Sequence, residues 1–225
     1  MSGRQAMAVS LKGYSAESWD SPLGDACLAF ADVLVRNAAA VIEDVKPAAI
    51  FSLPMRAYVG GRWRQLQRES LDEALRAYQQ ALPGYGVRVR ILYRTERRVF
   101  LLVWRPVQLN RALGGADGMA ILREQGYTGS CERELVQELC RRLGDFYRSL
   151  GDGAEFPHEI GIFLGYPASD VRCFMAGERP TVVGAWNAYG DERAARRRFD
   201  LLGRHERRCR SRFAAGESLH ALFAT

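Results

Sequence analysis

The stretch that decides the fold is VRVRILYRTERRVFLLVW, residues 87–104. Val87, Val89, Ile91 and Tyr93 alternate with Arg88, Arg90 and Arg94, the period-two pattern of a strand with one wet face. The polar turn Thr95-Glu96-Arg97 follows, and Val99–Trp104 then runs as an unbroken apolar strand of the kind that is covered on both faces. Two such runs joined by a short polar turn predict an antiparallel hairpin at the heart of a sheet.

Working outward, the upstream chain alternates helices with one more strand. Ser21-Pro22 reads as a helix start, with the serine as cap and proline in the first turn. Leu28, Ala31, Leu34, Val35, Ala38, Val41 and Ile42 then recur at helical spacing until Pro47. Ala48–Leu53 is a short apolar strand closed by Pro54. A second helix carries Leu71, Leu75, Tyr78 and Leu82 on one face, with Ser70 and Glu73 spaced as a capping box and Pro83-Gly84 as its stop.

Downstream, Val107–Leu113 and Met119–Gln125 read as short helices broken by Gly114-Gly115. Leu135, Val136, Leu139, Leu143, Phe146, Tyr147 and Leu150 mark a longer helix within 130–150. Two short helices opened by Pro157 and Pro167 are expected within 155–177, then a strand over Thr181–Trp186 and a long helix over Asp191–Phe213. The pattern predicts an α+β fold: one small, largely antiparallel sheet of about four strands, helices packed on it, and a long C-terminal helix. Residues 1–20 are expected to be loose and 21–225 to form one globular domain, since neither a repeat nor a linker interrupts them.

Composition narrows the class. The 225 residues are 48% hydrophobic and 26% charged, a globular balance far from that of disordered chains. No apolar run approaches the roughly 20 residues of a membrane span, and the first residues lack the charged-then-apolar order of a signal peptide, so a cytoplasmic protein is expected. Cys27, Cys131, Cys140, Cys173 and Cys209 are scattered and odd in number, which suggests neither a disulfide framework nor a zinc site. The formal charge is +6, and only Lys12 and Lys46 are lysines, an arginine bias that a GC-rich genome also produces.

The block FPHEIGIFLGYP, residues 156–167, followed by Ser169-Asp170-Val171, resembles the signature of a bacterial family known as domain of unknown function 3793. The likeness extends to residues 45–53, to Leu102–Pro106, to residues 184–191 and to the basic helix around Cys209. The resemblance implies no activity; it implies a cytosolic, thiol-containing protein typical of anaerobic bacteria. Where the family pattern has cysteines before Lys46-Pro47 and before the Gly-x-Trp, this chain has Asn37-Ala38-Ala39 and Val183. Thiol chemistry through those positions is therefore not expected here.

His158 and Glu159 are the natural acid–base candidates. If Pro157 opens a helix, however, neighbouring side chains diverge by about 100° and do not aim at one atom. The expected structural roles are a first-turn carboxylate serving free N–H groups for Glu159 and a loop hydrogen bond for His158. His205 and His220 show no HxH or HExxH spacing, so no metal is expected, and the residues name no cofactor. Gly161, Gly165, Gly184 and Gly190 fit no phosphate-binding motif and are read as tight turns or close contacts.

Nine arginines lie between Arg193 and Arg212 against Asp200 and Glu206, so the excess positive charge of the chain is concentrated there. Two functional readings follow. One is a small-molecule or cofactor site, enzymatic or not, with His158 and Glu159 as polar groups, Tyr166 and Trp186 as lining and Arg105 as an anion anchor. The other is a binding module that holds an acidic protein or nucleic acid through Arg193, Arg197, Arg204 and Arg208.

Overall fold

The computed structural model of the chain describes residues 21–59, 61–149 and 155–224; the expected loose segment 1–20 lies outside them. The described residues sort into two compact units: 21–45, 49–104 and 205–224 form the first, and 46–48 and 105–204 the second.

The first unit opens with α1 (Pro22–Ile42), whose cap is the expected one: Ser21 Oγ accepts from the Gly24 N–H at 3.0 Å, with Pro22 in the first turn. Then come β1 (Ala48–Pro54), β2 (Arg56–Val59), β3 (Arg62–Gln65), α2 (Arg68–Ala81), a 3-10 turn (Leu82–Tyr85), β4 (Arg88–Arg94) and β5 (Arg98–Trp104). The hairpin of β4 and β5 pairs Val89 with Val103 and Ile91 with Leu101, and a bulge between Ile91 and Tyr93 brings Tyr93 opposite Phe100. β5 is central, in the order β1-β5-β4. The Met55 N–H donates to Arg97 O at 2.8 Å, and the Arg105 N–H to Pro47 O at 2.9 Å, so β1 and β5 also run antiparallel.

The inner face of this sheet carries Phe51, Leu53, Val87, Val89, Val99, Leu101 and Val103, in one buried cluster with Phe30 and Leu34 of α1 and Leu71, Leu75 and Tyr78 of α2. Each such side chain contributes about 1.5–3 kcal/mol by leaving water. The Tyr78 hydroxyl, buried with its ring, donates to Cys27 O at 3.1 Å, which removes the cost of an unpaired polar group. Cys209, Phe213, Leu219 and Leu222 complete the cluster.

Two local expectations change. The Leu71 N–H bonds Gln67 O at 3.0 Å, so α2 is already helical at Arg68, Ser70 lies inside it and the capping box is not used. The β2–β3 hairpin was not anticipated, although Ala57 and Val59 alternate with Arg56 and Tyr58 ahead of Gly60-Gly61.

The second unit packs α3 (Pro106–Leu113), α4 (Ala116–Glu124), α5 (Glu132–Arg148), α6 (Ile160–Phe163) and α7 (Ala168–Met175) around Leu109, Leu122, Leu139, Leu143, Ile162 and Phe163. Its expected strand over Thr181–Trp186 shrinks to β6 (Val182–Val183), because the chain turns at once, Gly184 N–H to Trp186 O at 3.0 Å, and pairs with β7 (Asn187–Ala188). The fold is mixed α+β as expected, but its strands make three small sheets rather than one of four strands. α8 (Glu192–Ala214) is the long C-terminal helix, capped by Asp191 Oδ1, which accepts from the N–H groups of Arg193 and Ala194; α9 (Leu219–Phe223) closes the chain. Among the described residues no helix is long and apolar enough to cross a membrane.

Candidate functional site

The Phe156–Pro167 block enters α6 later than its proline suggests. The Ile160 N–H bonds Pro157 O at 3.1 Å, so Pro157–Glu159 is a turn and Glu159 sits at the cap position. Its carboxylate makes no cap bond. It turns inward, 3% exposed, where Oε1 accepts from the Tyr127 hydroxyl at 3.0 Å and lies 3.5 Å from Arg142 Nη1. The expected first-turn role of Glu159 thus gives way to a buried polar cluster, because the helix begins one residue beyond it.

That cluster is pinned from several sides. The Arg142 guanidinium lies over the Tyr127 ring at 4.2 Å and donates through Nε to Glu138 Oε1 at 2.8 Å. Hydrogen bonding from Arg141 above all, with Arg142 assisting, holds the Glu138 carboxyl down at about 2. Burial first, and then the charge of Glu159, pushes the Tyr127 phenol far above its ordinary value, so it remains a neutral donor.

His158 faces elsewhere. Its exposed ring lies 5.6 Å from Phe156 and 5.0 Å from Phe174, and Phe156 stands edge-on to Phe146 at 5.1 Å. Neither ring nitrogen of His158 has a hydrogen-bond partner among the described residues, the expected loop bond included. A cleft of about 650 Å³ opens between these groups: Phe146, Phe156 and His158 give it an aromatic wall, Arg142 and Glu159 a polar base, and Gln125 and Ser149 further hydrogen-bonding groups.

The remaining candidates are placed apart. Trp186 and Tyr166 stack on each other at 5.3 Å, with Phe199 edge-on to Trp186. Trp186 Nε1 donates to Asp170 Oδ2 at 2.8 Å, while Oδ1 of the same buried carboxylate accepts from the Tyr189 N–H at 3.0 Å. Trp186 lines a smaller cleft of about 210 Å³ with Asp170 and Arg198; Tyr166 and Arg105 line neither cleft. The glycines of the block act sterically. Gly165 has φ +77°, and a Cβ there would lie 2.7 Å from the Pro47 ring; one on Gly161 would lie 2.6 Å from Val171 Cγ2.

Much of the arginine charge on α8 is matched at close range. Arg196 pairs with Glu192 at 2.7 Å, Arg210 with Glu206 at 3.2 Å and Arg212 with Glu217 at 2.7 Å, and Arg198 donates to Gly165 O at 2.9 Å. Arg208 lies 4.0 Å from Glu43, which also has His205 Nδ1 at 3.2 Å and Arg212 Nη1 at 3.9 Å. Arg193, Arg197 and Arg204 are exposed, with no ion pair among the described residues. The third histidine, His220, bonds the Tyr85 hydroxyl at 2.7 Å. Among the described residues no three His, Cys, Asp or Glu side chains gather as a metal site would require.

Sequence reasoning missed Tyr127, Arg142 and Asp170. Tyr127 follows Gly126 in a loop and Arg142 sits in an arginine-rich helix, so neither carries a local signal. Asp170 reads as an ordinary first-turn acid of α7.

Taken together, the fold and site define a mixed α+β protein with a helix-lined cleft over a buried carboxylate–tyrosine–arginine cluster. The model of the family described as "Protein of unknown function (DUF3793)" matches residues 34–223, and the chain belongs to that family. No curated protein and no solved structure matches it.

Proposed function

We propose that this chain is a small-molecule-binding protein whose site is the cleft bordered by His158. The observation that carries the reading is the combination of a 650 Å³ opening with a polar base fixed in advance by Tyr127, Arg142 and Glu159. Clefts of that size, part aromatic and part polar, are the usual form of a ligand site. The charge of the lining restricts what fits. Arg141 and Arg142 already hold Glu138, and Asp145, Glu155 and Glu159 outnumber them around the cleft. A neutral or cationic molecule with a flat ring suits it better than a phosphate.

The reading is one of binding rather than of catalysis. His158 and Glu159 are adjacent in sequence but engage different partners, so they do not form an acid–base pair. The five cysteines are free thiols, which supports a reducing, cytoplasmic setting.

The test is a thermal-shift screen of metabolites grouped by charge, run on the wild type and on His158→Ala. Stabilisation by neutral or cationic ring compounds that His158→Ala abolishes, with its own midpoint unchanged, supports the site. Stabilisation by anions alone, or unaffected by His158→Ala, refutes it. A second reading, a module for an acidic partner, keeps one observation in its favour: Arg193, Arg197 and Arg204 are exposed and make no ion pair among the described residues. Binding of such a partner would weaken steeply with salt and be lost when these three are changed to glutamine.

A further inference from the structure

We propose that the β2–β3 hairpin is a second, separate site that binds single-stranded nucleic acid, its bases stacking on Tyr58 and Trp63 and a phosphate met by Arg56. The two rings are among the most exposed large apolar side chains of the described chain, at 58% and 61%. They are not scattered: Tyr58 and Trp63 are directly opposite in the strand register, and their rings meet edge-on at 5.6 Å and 70°. The other face of the same strands anchors the platform. Ala57 and Val59 are buried in the core cluster of the first unit, and Arg64 is drawn to Asp25 at 3.2 Å. The outward face, Arg56, Tyr58, Trp63 and Gln65, is therefore held in place by the inward one.

The charge around the rings selects the occupant. From Arg56 to Arg68 the chain carries four arginines and no acidic residue. The Arg56 guanidinium lies over the Trp63 ring, 5.3 Å from its centroid. Two flat rings beside a guanidinium on an anchored strand pair suit an unpaired strand, because every base offers a stacking face and every linkage a negative charge. A membrane surface fits less well: no aliphatic side chain shares the outward face, and the two strands are joined by Gly60-Gly61, which has no side chain to insert. The site is independent of the His158 cleft and stands or falls without it.

The experiment is fluorescence anisotropy with a fluorescein-labelled oligothymidylate, its duplex with oligoadenylate, and the full chain. The expected result is single-strand binding stronger than duplex binding, weakening several-fold between about 50 mM and about 200 mM salt. Trp63→Ala and Tyr58→Ala should each weaken it about tenfold, and Trp63→Phe, which keeps a stacking ring, should restore most of the loss. Circular dichroism and thermal midpoints of the variants should match the wild type, since both rings are exposed. The triple change Arg193→Gln, Arg197→Gln and Arg204→Gln should leave single-strand binding within about twofold. Three outcomes overturn the proposal: no anisotropy change up to about 100 μM protein, equal binding of the duplex with no dependence on Trp63, or Trp63-dependent sedimentation with phosphatidylserine vesicles in the absence of oligonucleotide binding.

Discussion

Replacing Tyr127 by phenylalanine removes one oxygen and tests the buried base of the cleft. The ring is 3% exposed, and Phe keeps its contact with Phe163 and the Arg142 stack. What is lost is the 3.0 Å bond to Glu159 Oε1, leaving that oxygen only the guanidinium at 3.5 Å. A hydrogen bond to a charged acceptor is worth about 1.5–3 kcal/mol, and the retained Arg142 argues for the lower part, about 2 kcal/mol. For a chain of this size that lowers the thermal midpoint by about 4–8 °C. The assay is urea and thermal unfolding of wild type, Tyr127→Phe, Glu159→Gln and the double variant, from which the coupling energy follows. There is a pH arm as well. The folded Tyr127 phenol titrates above its ordinary value of 10.0, so the stability it contributes is complete below about pH 10 and is lost as pH rises beyond that towards the folded value. Tyr78 acts in the same direction. Stability should thus fall above pH 10, and less steeply in Tyr127→Phe. A loss under about 0.5 kcal/mol with no coupling to Glu159 would refute the reasoning, since a surface-like value means the oxygen is not buried against the carboxylate.

Other consequences can be checked together. Burial pushes the Cys27 thiol up to about 11 and the Cys209 thiol up to about 12, so neither should react with iodoacetamide at pH 8 in the native protein, whereas exposed Cys131 should label first; peptide mapping decides. Gly165→Ala places a Cβ at positive φ against the Pro47 ring and should cost at least about 2 kcal/mol by denaturant unfolding. A neutral outcome would mean the turn relaxes freely.

The central hairpin was legible because its two faces differ so strongly: alternating arginines on β4 and an unbroken apolar β5 leave one sensible pairing. Helices α1 and α5 were legible for the same reason, a single apolar stripe of adequate length. The β2–β3 hairpin was harder, since each strand has four residues and its outward face includes two large aromatics, a residue type that is more often core. The strand at 181–186 was drawn too long: Thr181, Val182 and Val183 are β-branched, but Gly184 already opens the turn that leads into β7. As to the site, His158 and Glu159 stand out in the sequence and their divergence was expected, but the buried setting of Glu159 does not follow from it. It depends on Pro157 lying outside α6 and on Tyr127 and Arg142 arriving from distant segments. Long-range partners of a buried carboxylate leave no local trace.

The cleft itself is tested most directly by native mass spectrometry of the full chain, purified gently under anaerobic conditions, alongside His158→Ala. The account predicts a population heavier than the 25.2 kDa chain by one small organic molecule, absent from the variant while its folded charge-state pattern is unchanged. A bare chain mass in the wild type, persisting after incubation with a metabolite extract, would contradict it.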